Sequence, residues 1–206
     1  PGGSSPQALA FAWLAETEAS FYSPMSARQR YALATLYYAT SGANWTRRDG
    51  WLNPTNECSW YGVSCEVDPV SEVSLNNNDL VGSLPVDISL LVELATLELA
   101  GNRIGGTLQS EIVSLEALAF LEMSNNELTG RLPEELADSG IVQLELGGNQ
   151  LSGELPVGIS RMNLSILNLR RNSLGGQLPR NWSAMTSMTY CFVNNNMFTG
   201  ELPEFL

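Results

Sequence analysis

Histidine and lysine are missing from this 206-residue chain, and its ten basic residues are all arginine. No imidazole can therefore act as a general base and no ε-amine can form a Schiff base. Cysteine is scarce, at three residues, too few with no histidine beside them for a four-ligand zinc site. Positive charge is outnumbered: 22 acidic residues oppose the ten arginines, for a formal net charge of −12. Such a surface repels nucleic-acid phosphates and anionic lipid headgroups. It suits a basic partner, a polyol or sugar, or a divalent cation, and it also serves simply to keep a protein in solution. No run of 18 apolar residues exists, so no segment reads as a membrane span, and no signal peptide is visible. Pro1 as first residue reads as the start of a processed or trimmed piece of a longer precursor. With 44% hydrophobic residues and 16% charged, the chain falls outside the disordered class.

What is present is a period. Asparagine recurs at Asn78, Asn102, Asn126, Asn149, Asn172 and Asn196, in steps of 24, 24, 23, 23 and 24 residues. Around each sits one frame: apolar residues at alternating positions, then the Asn, then an apolar residue, a Gly and a Leu, usually followed by Pro. The third copy shows it as Leu118, Leu121, Met123, Asn126, Leu128, Gly130, Leu132 and Pro133. Such a period marks a solenoid. The alternation is a short strand with one buried face, and successive turns stack their strands into a parallel sheet. The Asn stands where the chain leaves the strand, and its amide can donate to and accept from backbone groups that would otherwise be buried unpaired. The Gly permits a tight bend, and the Leu-Pro pair carries a stiffened segment across the convex side.

The Leu-x-Gly-x-Leu-Pro segment resembles that of the plant-type leucine-rich repeats found in receptor-kinase ectodomains and polygalacturonase-inhibiting proteins. The resemblance covers residues 70–206 as six repeats. It departs at Gln109, which replaces the Pro, and in the sixth repeat, where Met188, Cys191, Val193 and Phe198 occupy apolar slots. It implies an α/β solenoid, a right-handed superhelix with a parallel concave sheet and an extra short sheet beside it. The chain ends at Leu206 inside the sixth repeat. The expectation is that a C-terminal cap is absent and that the apolar end is covered in a longer protein.

Residues 1–69 lack the repeat and are expected to be a capping domain. Residues 7–20 and 26–40 read as helices, the second with Ser26 as N-cap candidate and Gly42 near its end. They would cover the apolar end of the first repeat. The run Cys58-Ser-Trp60-Tyr-Gly62-Val-Ser-Cys65 is similar to the N-terminal cap of plant-type repeat ectodomains, and that likeness implies a Cys58–Cys65 disulfide. Such a closed loop stabilises by about 2–3 kcal/mol in the chain-entropy model. With its Ala-Leu-Ala-Thr-Leu-Tyr-Tyr-Ala-Thr-Ser-Gly run, the whole segment is most similar to diatom cell-surface leucine-rich-repeat proteins. Cys191 falls by register in a core leucine slot, where a free cysteine behaves as a small hydrophobe.

Paired cysteines point to an oxidising compartment. So do the sequons at Asn44, Asn163 and Asn181, which would accept N-linked glycans, Asn44 and Asn181 being the better candidates. The expected location is extracellular or at the cell surface, with any membrane attachment through a segment outside this chain.

The frame also names the residues that face outward from the concave sheet. The central column reads Ser74, Glu98, Glu122, Glu145, Asn168 and Phe192. One flank reads Glu72, Thr96, Phe120, Gln143, Ile166 and Tyr190; the other reads Asn76, Ala100, Ser124, Gly147, Arg170 and Asn194, with Arg171 adjacent. Glu98, Glu122 and Glu145 on successive rungs each cost on the order of 1 kcal/mol against a neighbour in water-like dielectric. That stripe is either a solvated acidic face or a docking strip for a basic peptide or a cation. Phe120, Ile166, Tyr190 and Phe192, beside Asn168 and Arg170, make a binding surface of the usual composition. The expected ligand is a protein or peptide, basic in character, or a cell-wall saccharide, with no nucleic acid. No cofactor loop, metal cluster or catalytic base is legible, and an open sheet does not exclude water from a carboxylate pair. The chain therefore reads as a binding protein for cell-surface recognition or adhesion and not as an enzyme. The alternative is a secreted or wall-associated inhibitor of a polysaccharide-degrading enzyme.

Overall fold

The computed structural model describes residues 4–17 and 24–201. The chain runs α1 (Pro6–Glu16), α2 (Pro24–Ala39), β1 (Val63–Cys65), β2 (Val70–Ser74), β3 (Val81–Ser83), β4 (Thr96–Glu98) and β5 (Arg103–Gly106). It continues through β6 (Phe120–Glu122), β7 (Glu127–Gly130), β8 (Gln143–Glu145), β9 (Gln150–Gly153), β10 (Ile166–Asn168), β11 (Ser173–Leu174) and β12 (Tyr190–Phe192). Even-numbered strands, with β1 at one edge, form a seven-stranded sheet; odd-numbered strands from β3 to β11 form a five-stranded second sheet. One turn of chain thus contributes one strand to each sheet and a short 3₁₀ helix to the opposite side, an α/β solenoid of leucine-rich repeats.

Pairing between repeats is parallel, while β1 pairs β2 antiparallel, an extra strand that the periodic frame did not announce. Inside the sheet, Leu97, Leu121, Leu144 and Leu167 stand in register and are fully buried. The asparagine column does what its chemistry suggests. Asn126 Oδ1 accepts from Ile104 N–H at 2.9 Å, and its Nδ2 donates to the carbonyls of Leu99 at 2.8 Å and Met123 at 3.2 Å. Asn102, Asn149, Asn172 and Asn196 repeat the pattern one turn before and after. Each amide satisfies backbone groups of two turns at the point where the strand ends.

The bend glycine is required where expected: Gly130 has φ +76°, and a Cβ there would lie 2.7 Å from Thr107 Cγ2. Pro85 and Pro133 precede 3₁₀ helices in extended conformation, and Gln109, in the Pro position of its repeat, holds nearly the same backbone angles as Pro85. Proline stiffens this crossing without being needed to shape it.

The two helices close the first repeat. Ser5 caps α1 by accepting from Ala8 N–H. The expected second cap is corrected: α2 begins with Pro24, whose fixed φ suits a first helical position, and Ser26 lies inside the first turn, donating to Glu57 Oε1 at 3.0 Å. The carboxylate of Glu57 drew that hydroxyl away from a capping role. Residues 18–20, the expected end of the first helix, lie outside the described residues. Beneath the helices, Tyr37, Trp45, Trp51 and Trp60 pack as a continuous ring cluster. Arg30 and Glu57 form a buried ion pair at 2.9 Å, and Arg30 also donates to the carbonyls of Asn53 and Thr55. Cys58 and Cys65 are joined by a disulfide. Gln29 Oε1 accepts from Val70 N–H at 2.6 Å, which ties α2 to the first strand of the repeats.

Candidate functional site

Strand register decides which side chains share the concave face. Ser74, Glu98, Glu122, Glu145, Asn168 and Phe192 are cross-strand neighbours in that order, as are Glu72, Thr96, Phe120, Gln143, Ile166 and Tyr190. Both columns fall where the frame put them. Glu98, Glu122, Glu145, Phe120, Asn168 and Arg170 also line one shallow concavity of about 390 Å³, together with Ser124. Ile166, Tyr190 and Phe192 share the sheet but do not line it. Two further lining residues, Asn77 and Asn125, were missed by the sequence reading. Each immediately precedes a ladder asparagine, and that repeated position was the available signal.

The expected exposure of these columns needs correction. Glu98, Glu122 and Glu145 are half-buried, Asn168 is 5% exposed and Ser124 8%. A flat rung at ~4.8 Å spacing lets each side chain shade the next; on β12, Tyr190 is 55% and Phe192 40% exposed. Neither a fully solvated stripe nor a buried charge cluster describes the glutamates.

Donors from the same or neighbouring rungs relieve the crowded charge. Glu98 Oε2 accepts from Ser74 Oγ at 2.6 Å and Asn76 Nδ2 at 3.0 Å. Glu122 Oε1 accepts from the backbone N–H of Ser124 at 2.8 Å, and Glu145 Oε2 accepts from Asn168 Nδ2 at 3.2 Å. Desolvation pushes the Glu122 carboxyl above its ordinary pKa, against the lowering effect of Ser124, and the Glu145 charge adds to the rise. The Ser124 hydroxyl lies beside that carboxylate yet completes no hydrogen bond of normal geometry.

Beyond the glutamates the face changes sign. Arg170 is exposed and, among the described residues, makes no ion pair; its guanidinium lies 5.9 Å from the Phe192 ring. Tyr190 and Phe192 stack nearly parallel, 6.2 Å between centroids. Arg171 follows at φ +55°, in a turn position that Asn77, Gly101, Asn125, Gly148 and Asn195 fill in the other repeats, all at positive φ. Arginine rarely adopts that conformation.

The remaining singled-out residues sit apart from this face. Asn44, Asn163 and Asn181 are exposed; Asn181 belongs to the 3₁₀ helix Arg180–Ala184, and Asn163 precedes β10, its Oδ1 accepting from Ser187 Oγ. Cys191 is half-buried against the core, and burial pushes its thiol up to about 11. Among the described residues no group of His, Cys, Asp and Glu could hold a metal ion, and no helix is long and apolar enough to cross a membrane.

The Leucine Rich Repeat family profile matches residues 117–139 and 163–185. A probable leucine-rich repeat receptor-like protein kinase of Arabidopsis thaliana is 32% identical over 84 residues; the chain spans about 9% of that relative's length, and the match takes in 34% of this chain. The BIR2 ectodomain from A. thaliana superposes with a TM-score of 0.63 at 30% identity, over 70% of this chain and 78% of that one. The ectodomain of the A. thaliana receptor kinase HAESA, solved with an extended IDA peptide hormone ligand, gives 0.69 at 26% identity, over 95% of this chain and 30% of that one.

Proposed function

The chain belongs to the plant-type leucine-rich-repeat family, and we propose that it is the recognition region of an extracellular protein, with a peptide or protein ligand bound across its concave sheet. The observation that carries this reading is the concave face itself. Half-desolvated carboxylates, an arginine with no ion pair among the described residues, and stacked aromatics are concentrated on one side of a scaffold whose repeats are filled by leucine and a ladder of asparagines. Polar groups of this kind contribute little to folding and are disposed for a partner. The HAESA ectodomain, similar along most of this chain, carries a peptide hormone in its solved complex.

Binding, not catalysis, fits the chemistry present. The carboxylates lie on an open sheet, and no histidine or lysine stands near them to take a proton. An extracellular setting is supported by the Cys58–Cys65 disulfide and by the exposure of all three sequon asparagines, none of them on the concave sheet. Glycans at Asn44, Asn163 and Asn181 would leave the ligand face open.

The test is a thermal-shift series on the purified domain with basic peptides, oligogalacturonides and calcium at several salt concentrations. Basic peptides are expected to raise the melting temperature, less so at high salt, and Glu122→Lys should abolish the rise. A shift that survives Glu122→Lys combined with Phe192→Ala would remove the ligand from the concave sheet. A shift with oligogalacturonides alone would favour the wall-associated inhibitor.

A further inference from the structure

The cap and the repeats meet in a second concavity, away from the concave sheet. It encloses about 380 Å³ between the first turns of α2, the turn entering β2 and the segment that joins the 3₁₀ helix Val86–Leu90 to β4. That volume lies within the range of about 300–1,000 Å³ typical of small-molecule sites. Its walls are mainly apolar: Met25 comes from the helix, Pro69 from the turn, and Leu90 and Val92 from the joining segment. Met25 is 49% exposed and Val92 50%, so the fold leaves apolar surface here that a guest would take out of water. Gln29 belongs to the same wall and is buried, its Oε1 accepting from Val70 N–H and its Nε2 donating to Glu57 Oε1. The cleft is thus held in shape by the protein's own hydrogen bonds before any guest arrives.

Two opposite charges share the lining. Arg28, on α2, and Glu93, on the joining segment, are exposed, and neither forms an ion pair with the other or with any other described residue. Elsewhere on this surface an arginine and a carboxylate within reach do pair, as in Arg47–Asp49, Arg103–Asp79 and Arg161–Asp138. Here they stand on different walls of an apolar cleft. An apolar anion would gain Arg28 but meet Glu93 and a chain of net charge −12; an apolar cation would gain Glu93 but meet Arg28. A molecule that carries both charges on an apolar body gains both contacts. We propose that this cleft binds a small apolar zwitterion, an amino acid or dipeptide with free ends. Its carboxylate lies on the Arg28 guanidinium, its ammonium on Glu93, and its side chain against Met25, Pro69, Leu90 and Val92. A guanidinium takes a carboxylate through two parallel hydrogen bonds, and apolar walls strengthen both ionic contacts by excluding water. Because the guest touches α2 on one side and the start of the repeats on the other, its binding fastens the cap to the solenoid.

The experiment is calorimetric titration of the intact domain with phenylalanine, leucine and the dipeptide Leu-Phe. Each is compared with its amide, which lacks the carboxylate, and its N-acetyl form, which lacks the ammonium; glycine supplies both charges without the apolar body. At least one of the zwitterions is expected to bind, phenylalanine against Leu-Phe separating a free amino acid from a short peptide. Its amide, its N-acetyl form and glycine should each bind at least about tenfold more weakly. Arg28→Gln should erase the preference over the amide, and Glu93→Gln the preference over the N-acetyl form. Both side chains are exposed, so neither change should disturb folding, and the comparisons on the unaltered domain stand without them. The bound zwitterion should also slow hydrogen exchange at Val70 N–H, whose bond to Gln29 ties α2 to β2. No heat and no exchange protection with any of the zwitterions at about 10 mM would overturn the site. Equal binding of the amide and N-acetyl forms would overturn the zwitterion, and preferences that survive both variants would remove the ligand from this cleft.

Discussion

Asn126 and Glu122 belong to the same turn of the solenoid, four residues apart, and each stands in a column of like residues repeated every 23 or 24 positions. The Asn column faces inward and the Glu column outward. Inward, every hydrogen-bonding atom of Asn126 is matched to a backbone group, and the Leu99 and Met123 carbonyls it donates to are shared with Asn102 and Asn149 of the neighbouring turns. Outward, Glu122 accepts one backbone N–H, is half-deprived of water and faces another carboxylate on the next rung. Stacking identical polar residues is therefore favourable or costly according to what surrounds them. An amide is donor and acceptor together, so a column of amides completes a ladder. A carboxylate only accepts, so a column of carboxylates awaits donors. The inner column holds the fold, and the outer one holds unspent polarity, which is what a binding face needs.

Substitutions along the two columns should separate these roles, and the largest effect is expected inside. Asn126→Leu leaves Ile104 N–H without its partner and removes one of two amide donors from each of the Leu99 and Met123 carbonyls. At about 1–3 kcal/mol for a buried unsatisfied group, with two weakened carbonyls added, the domain should lose about 2–3 kcal/mol, measurable as a lowered denaturation midpoint. Asn196→Leu makes the same chemical change in the last repeat, where the amide is half-exposed. Water replaces the lost bonds there, so the cost should fall to about 1 kcal/mol; equal losses at the two positions would contradict the burial argument.

Between the columns lies the turn residue at positive φ. Arg171→Gly should stabilise by about 1 kcal/mol by releasing backbone strain, and if Arg171 contributes to the face, ligand affinity should drop in the same variant. Least in size is the outer column. The folded pKa of Glu122 is raised, so the folded state holds its proton over a range in which the unfolded chain has released it. Stability from this group is therefore full at low pH and declines as pH rises through the ordinary carboxylate range toward the folded value. Glu122→Gln should melt slightly higher than the parent at pH 7 and no higher at pH 4, a comparison that calorimetry at the two pH values would settle.

Much of this was legible in the residues. The period located each ladder asparagine, the bend glycines and both concave columns, because a two-residue strand alternation and a 23- or 24-residue repeat leave little freedom in register. What was not legible arose from contacts between segments far apart in sequence. Ser26 reads as a helix cap until Glu57, 31 residues on, takes its hydroxyl. Arg30 and Glu57 give no pattern that would pair them, yet they form the buried ion pair of the cap. Val63–Cys65 reads only as part of the disulfide loop that it does close, and it also adds an antiparallel strand to the edge of the sheet.

By itself the sequence determined that this chain is a solenoid, which side chains face its core, and which columns face outward from the concave sheet, since those properties follow from local periodicity and from the fixed hydrogen-bonding capacity of each side chain. Only the tertiary structure decided how wet those columns are and which charges lack a partner. Solvation and ion pairing depend on the neighbouring rung, and no single repeat contains its own neighbour. Glu122 half-desolvated beside Glu145, and the Arg170 guanidinium 5.9 Å from the Phe192 ring, are both properties of stacked turns.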